Sequence, residues 1–140
     1  MSGLSVVETE AGERPGPDDQ LSWEDLATEY VADRYDEMLS NTKYVPKNRQ
    51  LASTAKRLAK GQTPEEAVEA ICRFVYAEMQ YVPGTTGVHT TAVDAWNERK
   101  GVCQDYAHLS LLMLRSLGVP ARYVSGYLHP KPDAKIDRTV

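Results

Sequence analysis

The segment Gly101-Val102-Cys103 holds the residue of this chain best suited to chemistry. The residues that follow place Leu109, Leu112, Met113 and Leu117 at helical spacing, so a helix is predicted to open at Cys103 and run to Leu117. The first turn of a helix leaves backbone N–H groups without partners and presents the positive end of the dipole, and both favour an anion. A thiolate is favoured in that position, and the thiolate is the form that attacks a carbonyl. The backbone N–H of Cys103 is available to a developing oxyanion, and Gly101 lets the chain turn tightly before the nucleophile. Placement alone leaves a buried structural cysteine as the commoner reading. Cys72 offers a contrast: it falls on a stripe with Val68 and Val75 and reads as an inert, buried thiol.

A thiolate nucleophile of this kind is served by a histidine base. The chain has three histidines. His108 lies five residues along the helix, about 140° round it from Cys103. His89 belongs to a loop before a short helix, and His129 follows a strand-like segment. Each reads more readily as a solvated or capping residue than as the base. Trp96 is expected in the core or in a cleft wall, with its indole N–H as one candidate oxyanion donor. Gln104 and Tyr106 are the other candidates for cleft support, Tyr106 packing under the nucleophile. Asp105 sits in the first turn, where an acid supports the helix; as an anion two residues from Cys103 it does not activate the thiol.

These residues need elements to position them. Residues 1–20 have linker composition and are expected to form a flexible acidic lead. Residues 21–62 read as lead-in helices. The first starts at Ser22, with Asp25 completing a short capping box, and continues to Leu39; the second runs from Asn48 to Lys60 and stops at Gly61. A third, within the core region 63–140, has the strongest start signal: Thr63, Pro64 and Glu66 form a Thr-x-x-Glu box with proline in the first turn. Its stripe is Val68, Ile71, Cys72, Val75 and Met79, and Tyr81-Val82-Pro83-Gly84 ends it in a turn. A short helix capped by Thr91 carries Ala92, Ala95 and Trp96. After the Cys103 helix, Gly118 and Pro120 force a stop, and residues 121–128 read as a β-strand. One strand cannot satisfy its own backbone, so this segment is expected to pair with residues beyond Val140 or with another chain; without them it is expected to self-associate, swap elements or stay poorly ordered.

The run Trp96-Asn97-Glu98-Arg99-Lys100-Gly101-Val102-Cys103-Gln104-Asp105-Tyr106-Ala107-His108-Leu109 resembles the core signature of the transglutaminase-like superfamily. The helix, the Leu117-Gly118-Val119-Pro120 turn and the strand after it follow in the family's order, and Tyr81-Val82-Pro83-Gly84 is similar to bacterial members. The resemblance implies an α+β, papain-like fold, of which this chain holds mostly the helical half and the first strand of the sheet. It implies acyl transfer from an amide or peptide carbonyl through a thioester on Cys103, ending in hydrolysis or transamidation. Protein or peptide substrates are implied. Thiol chemistry of this kind needs no metal or organic cofactor, and with no acidic loop of calcium-binding spacing in the sequence, independence from calcium is expected. The family's histidine and aspartate segments are not found before Val140, so the chain is expected to be truncated ahead of them and inactive by itself. A non-catalytic interaction module that keeps the fold is the alternative.

Composition agrees with a globular protein: 140 residues, 41% apolar and 26% charged, with a net charge of −4. Residues 1–40 hold eleven acids against Arg14 and Arg34, whereas residues 41–140 hold fourteen basic side chains against nine acids. An excess that small is no nucleic-acid footprint. No apolar run is long enough to span a membrane, and the N-terminus lacks the marks of a signal peptide. Two well-separated cysteines suit a reducing compartment, and a cytoplasmic location is expected.

Overall fold

The computed structural model describes residues 21–125. The expected flexible lead, residues 1–20, and the tail from residue 126 lie outside them. The long first helix is instead three short ones, α1 (Trp23–Leu26), α2 (Glu29–Arg34) and α3 (Asp36–Leu39). Local competition explains the breaks. The Thr28 hydroxyl donates to the Asp25 carbonyl at 3.0 Å and accepts the Val31 N–H at 3.4 Å, so it closes one helix and caps the next. Tyr35, at φ −115°, departs from helical geometry and separates α2 from α3. The Ser22–Asp25 capping box forms at the start of α1.

The next two helices follow their start and stop signals. Asn48 caps α4 (Arg49–Ala59), accepting the Leu51 N–H at 2.9 Å, and Gly61 takes a φ of +74° just beyond its end. Thr63 and Glu66 cap α5 (Pro64–Glu78) reciprocally. The stripe on α5 buries Ile71 and Val75, with Met79 just past the helix end, but leaves Cys72 exposed. That corrects the expectation of a buried Cys72: the inward arc of α5 is filled by Ala67, Ile71 and Val75, and position 72 lies on its shoulder.

Two short strands, β1 (Gln80–Tyr81) and β2 (Lys100–Gly101), pair in parallel with Tyr81 opposite Gly101. Between them run a loop and α6 (Ala92–Glu98), capped by Thr91 in a box with Asp94. After β2 comes α7 (Cys103–Ser116). It is the hub of the core. Leu109, Leu112 and Met113 are buried against α4, α5 and α6, whose inward residues include Leu51, Ala55, Ile71, Ala95 and Trp96. Each large apolar side chain removed from water in this way contributes about 1.5–3 kcal/mol.

The strand expected over 121–128 is absent over its described part: residues 121–125 form no strand. The backbone of Ala121 is committed elsewhere, its N–H to the Met38 carbonyl and its carbonyl to the Arg115 guanidinium. The edge that was expected to self-associate is therefore not formed over those residues. Arg115 is the clasp, donating to the carbonyls of Met38, Ser40 and Ala121 at 2.9–3.1 Å and tying the end of α3 to α7. Gly118 takes a φ of +80° in the turn between.

Candidate active site

The turn that presents Cys103 is built from both sides. Arg99 ends α6 in the left-handed region at φ 56°, with its guanidinium 3.1 Å from the centre of the Trp96 ring. The chain then pairs with β1, the Gln80 N–H bonding the Arg99 carbonyl and the Val82 N–H bonding the Gly101 carbonyl. Val102 is extended and occupies the cap position, yet its side chain has no acceptor to offer. The carboxylate of Asp105 supplies half of a capping box instead, accepting the Val102 N–H at 2.9 Å.

Asp105 is wholly buried. Its Oδ2 also accepts the Thr86 hydroxyl at 2.5 Å, while its Oδ1 is buried with no hydrogen-bond partner among the described residues. Gly101 makes room for it: a Cβ on Gly101 would lie 2.6 Å from the Asp105 Cβ and 2.7 Å from Oδ2. One carboxylate thus joins β2, α7 and the loop after β1. Gln104 adds a second tie, its Nε2 donating to the Gly87 carbonyl at 2.7 Å.

Cys103 itself is exposed, as the first residue of α7. The N–H groups of Asp105 and Tyr106 return to the Val102 carbonyl, which leaves those of Cys103 and Gln104 without an acceptor among the described residues. The ring of Tyr106, one turn on, is 5.9 Å from that of Tyr81. Its partial burial, and then the nearby phenols of Tyr76 and Tyr81, push the Tyr106 hydroxyl above its ordinary value.

Of the four residues singled out from sequence, Cys103, Gln104 and Tyr106 share the first turn of α7. Trp96 does not join them in solvent: it is buried, against Phe74 on one side and under Arg99 on the other. Neither described histidine hydrogen-bonds Cys103. His108 lies between the rings of Tyr44 and Tyr123, at 6.0 and 5.3 Å, with its Nδ1 buried and without a partner among the described residues. Burial holds its imidazole below the usual range; Asp105 opposes that shift and Arg115 adds to it. His89 stays in the loop before α6.

Among the described residues no three His, Cys, Asp or Glu side chains gather as a metal site requires, and no helix is long and apolar enough to cross a membrane. A groove of about 750 Å³ is lined by Leu26, Tyr30, Tyr35, Pro64, Val68 and Pro120 among others. Its lining includes neither a cysteine nor a histidine, so it does not hold the thiol chemistry of Cys103. The Thr86–Asp105 bond was missed from sequence, where Asp105 reads only as helix support. Its partner is 19 residues away in a loop, and no local pattern signals it.

Comparison with known proteins agrees with this geometry. The family model of the transglutaminase-like superfamily matches residues 52–139, and the chain belongs to that superfamily. It is 50% identical, over all 140 of its residues, to an uncharacterised protein of Mycobacterium leprae, and spans 50% of that relative. An uncharacterised Mycobacterium tuberculosis protein is 36% identical over 75 residues, which are 54% of this chain and 24% of that one. The fold is similar to the crystal structure of a "Putative Cysteine Protease" from Cytophaga hutchinsonii, with a TM-score of 0.59 and 31% identity over 68% of this chain and 34% of that one. The chain therefore spans half or less of each of these relatives. The α+β core expected from sequence is the fold of this family.

Proposed function

We propose that Cys103 is the nucleophile of a cysteine acyl-transfer enzyme, attacking an amide or peptide carbonyl of a protein or peptide substrate to form a thioester. The observation that carries this is an exposed thiol on the first residue of α7, beside two backbone N–H groups with no acceptor among the described residues. Such donors serve a tetrahedral oxyanion better than they serve the planar carbonyl before attack. The thioester then passes to water or to an amine. The name of the Cytophaga hutchinsonii protein favours hydrolysis of a peptide bond, whereas the family's description favours an amine acceptor. No described histidine hydrogen-bonds Cys103; the nucleophile and the oxyanion donors are the groups drawn from this chain. Two free cysteines suit a reducing compartment such as the cytoplasm.

Acylation can be tested without turnover. The chain is treated with p-nitrophenyl acetate and the acetyl group mapped by mass spectrometry, with Cys72 as internal control. Acetylation of Cys103 well ahead of Cys72, and its loss in Cys103→Ala, is expected. Although Cys72 lies on the surface of α5, its thiol is partly desolvated there and pushed up, which slows that site at neutral pH. Equal labelling of the two cysteines, or none at Cys103, overturns the assignment and leaves an interaction module with the same fold.

A further inference from the structure

The most unusual group near Cys103 is the buried carboxylate two residues after it. A charge with no exposure needs donors that compensate for lost water. Among the described residues Asp105 has two, from Val102 and Thr86, and both act on Oδ2. Helix support does not account for this arrangement. A capping acid in a first turn works from the solvent side, as Asp25 and Glu66 do at α1 and α5 in this same chain. Asp105 is instead drawn beneath the turn, over a glycine that alone leaves space for it, and reaches across to a loop hydroxyl.

That loop, residues 82–91, has its own internal bonds, Gly87 N–H to the Thr90 hydroxyl and Thr90 N–H to the Gly87 carbonyl. Two side chains of the nucleophile turn hold it from outside: Asp105 through Thr86 and Gln104 through Gly87. They flank the first turn that carries Cys103. Resting on the reading of Cys103 as nucleophile, we propose that Asp105 is a positioning residue: through Thr86 and the Val102 N–H it fastens loop 82–91 to the cysteine turn, making the loop a fixed wall of the acyl-donor cleft. The residue touches no reacting atom. Its effect is to hold the distance between the thiol and the wall, which sets the size of acyl donor that reaches the sulfur.

The test removes only the loop's hydroxyl. In the full chain Thr86→Val keeps the shape of the side chain, and Thr86→Ser restores the donor. Cys103 is labelled with iodoacetamide and with a bulky maleimide, and the ratio of the two rates is taken, with Cys72 measured in the same digest. Backbone hydrogen exchange is followed over residues 86–90. Losing a hydrogen bond to a charged group is expected to speed exchange in the loop about tenfold and to raise the maleimide-to-iodoacetamide ratio at Cys103 about threefold in Thr86→Val. The Cys72 ratio stays fixed, and Thr86→Ser returns both readings to the starting values. Unchanged exchange and ratio in Thr86→Val overturn the proposal, as does a parallel rise at Cys72, which marks general loosening, or a failure of Thr86→Ser to restore. The readout needs no acylation, so failure of the nucleophile assignment shows separately, as absent acetylation with the loop tie intact.

Discussion

Replacing Gly101 by alanine tests the packing beneath the nucleophile directly. The added Cβ would stand 2.6 Å from the Cβ of Asp105, 2.7 Å from its Oδ2 and 2.9 Å from its Cγ. Carbon atoms in contact prefer about 3.5–4.0 Å, so the closest pair falls short by about 1 Å. The obstacle cannot swing aside as the end of a long side chain does. One of the three atoms is a Cβ fixed to the helix backbone, and another is the oxygen held by Val102 and Thr86. Either α7 shifts its first turn or the carboxylate gives up its donors. Overpacking costs about 1–3 kcal/mol, and a disturbed hydrogen bond to a charge about 1.5–3 kcal/mol. The two overlap, and a loss of about 3 kcal/mol is expected. For a chain of this size that lowers Tm by about 10 °C. Gly87→Ala is the control, because a Cβ there meets nothing within 4 Å and its φ is not positive; it should stay within about 0.5 kcal/mol of the parent. Calorimetry and urea melts of the three proteins decide the matter. A Gly101→Ala protein that melts within about 3 °C of the control would refute the reasoning, since it would mean that Asp105 is not packed over residue 101.

Two further outcomes are expected. Arg115→Met should destabilise by about 2–3 kcal/mol in urea melts, because it strands the carbonyls of Met38, Ser40 and Ala121 that the guanidinium now serves, and Arg115→Lys should recover only part of this; equal stability of all three proteins would remove Arg115 as the clasp. His108 has a folded-state value held below its unfolded value near 6.5, chiefly by burial, so the unfolded chain binds the proton first. Its contribution is intact above that unfolded value and is lost as pH falls toward the lowered folded one. Stability should therefore decline with acidification just below pH ~6.5, and His108→Phe, which keeps a ring between Tyr44 and Tyr123, should flatten that decline; parallel curves for the two proteins would contradict it.

The sequence by itself determined much of the helical frame and the place of Cys103. Thr63, Pro64 and Glu66 start α5, Asn48 and Gly61 bracket α4, and the glycine before Cys103 with the leucine stripe behind it puts the thiol at a helix start. These signals work within about one turn of their own residues, through caps, backbone angles and periodicity. The first long helix failed for a reason of the same range: the Thr28 hydroxyl competes for backbone groups more strongly than its apolar pattern suggests. Tertiary structure decided the rest. Cys72 carried the same apolar label as its neighbours but lies outside the arc that α5 turns inward. Residues 121–125 have strand-forming side chains, yet the backbone of Ala121 is taken by Met38 and Arg115, and a strand exists only where another strand accepts it. Asp105 looked like surface helix support until Thr86 and Gly101 were brought against it. Burial, pairing and a carboxylate's partners depend on distant residues, and only the folded chain brings those residues together.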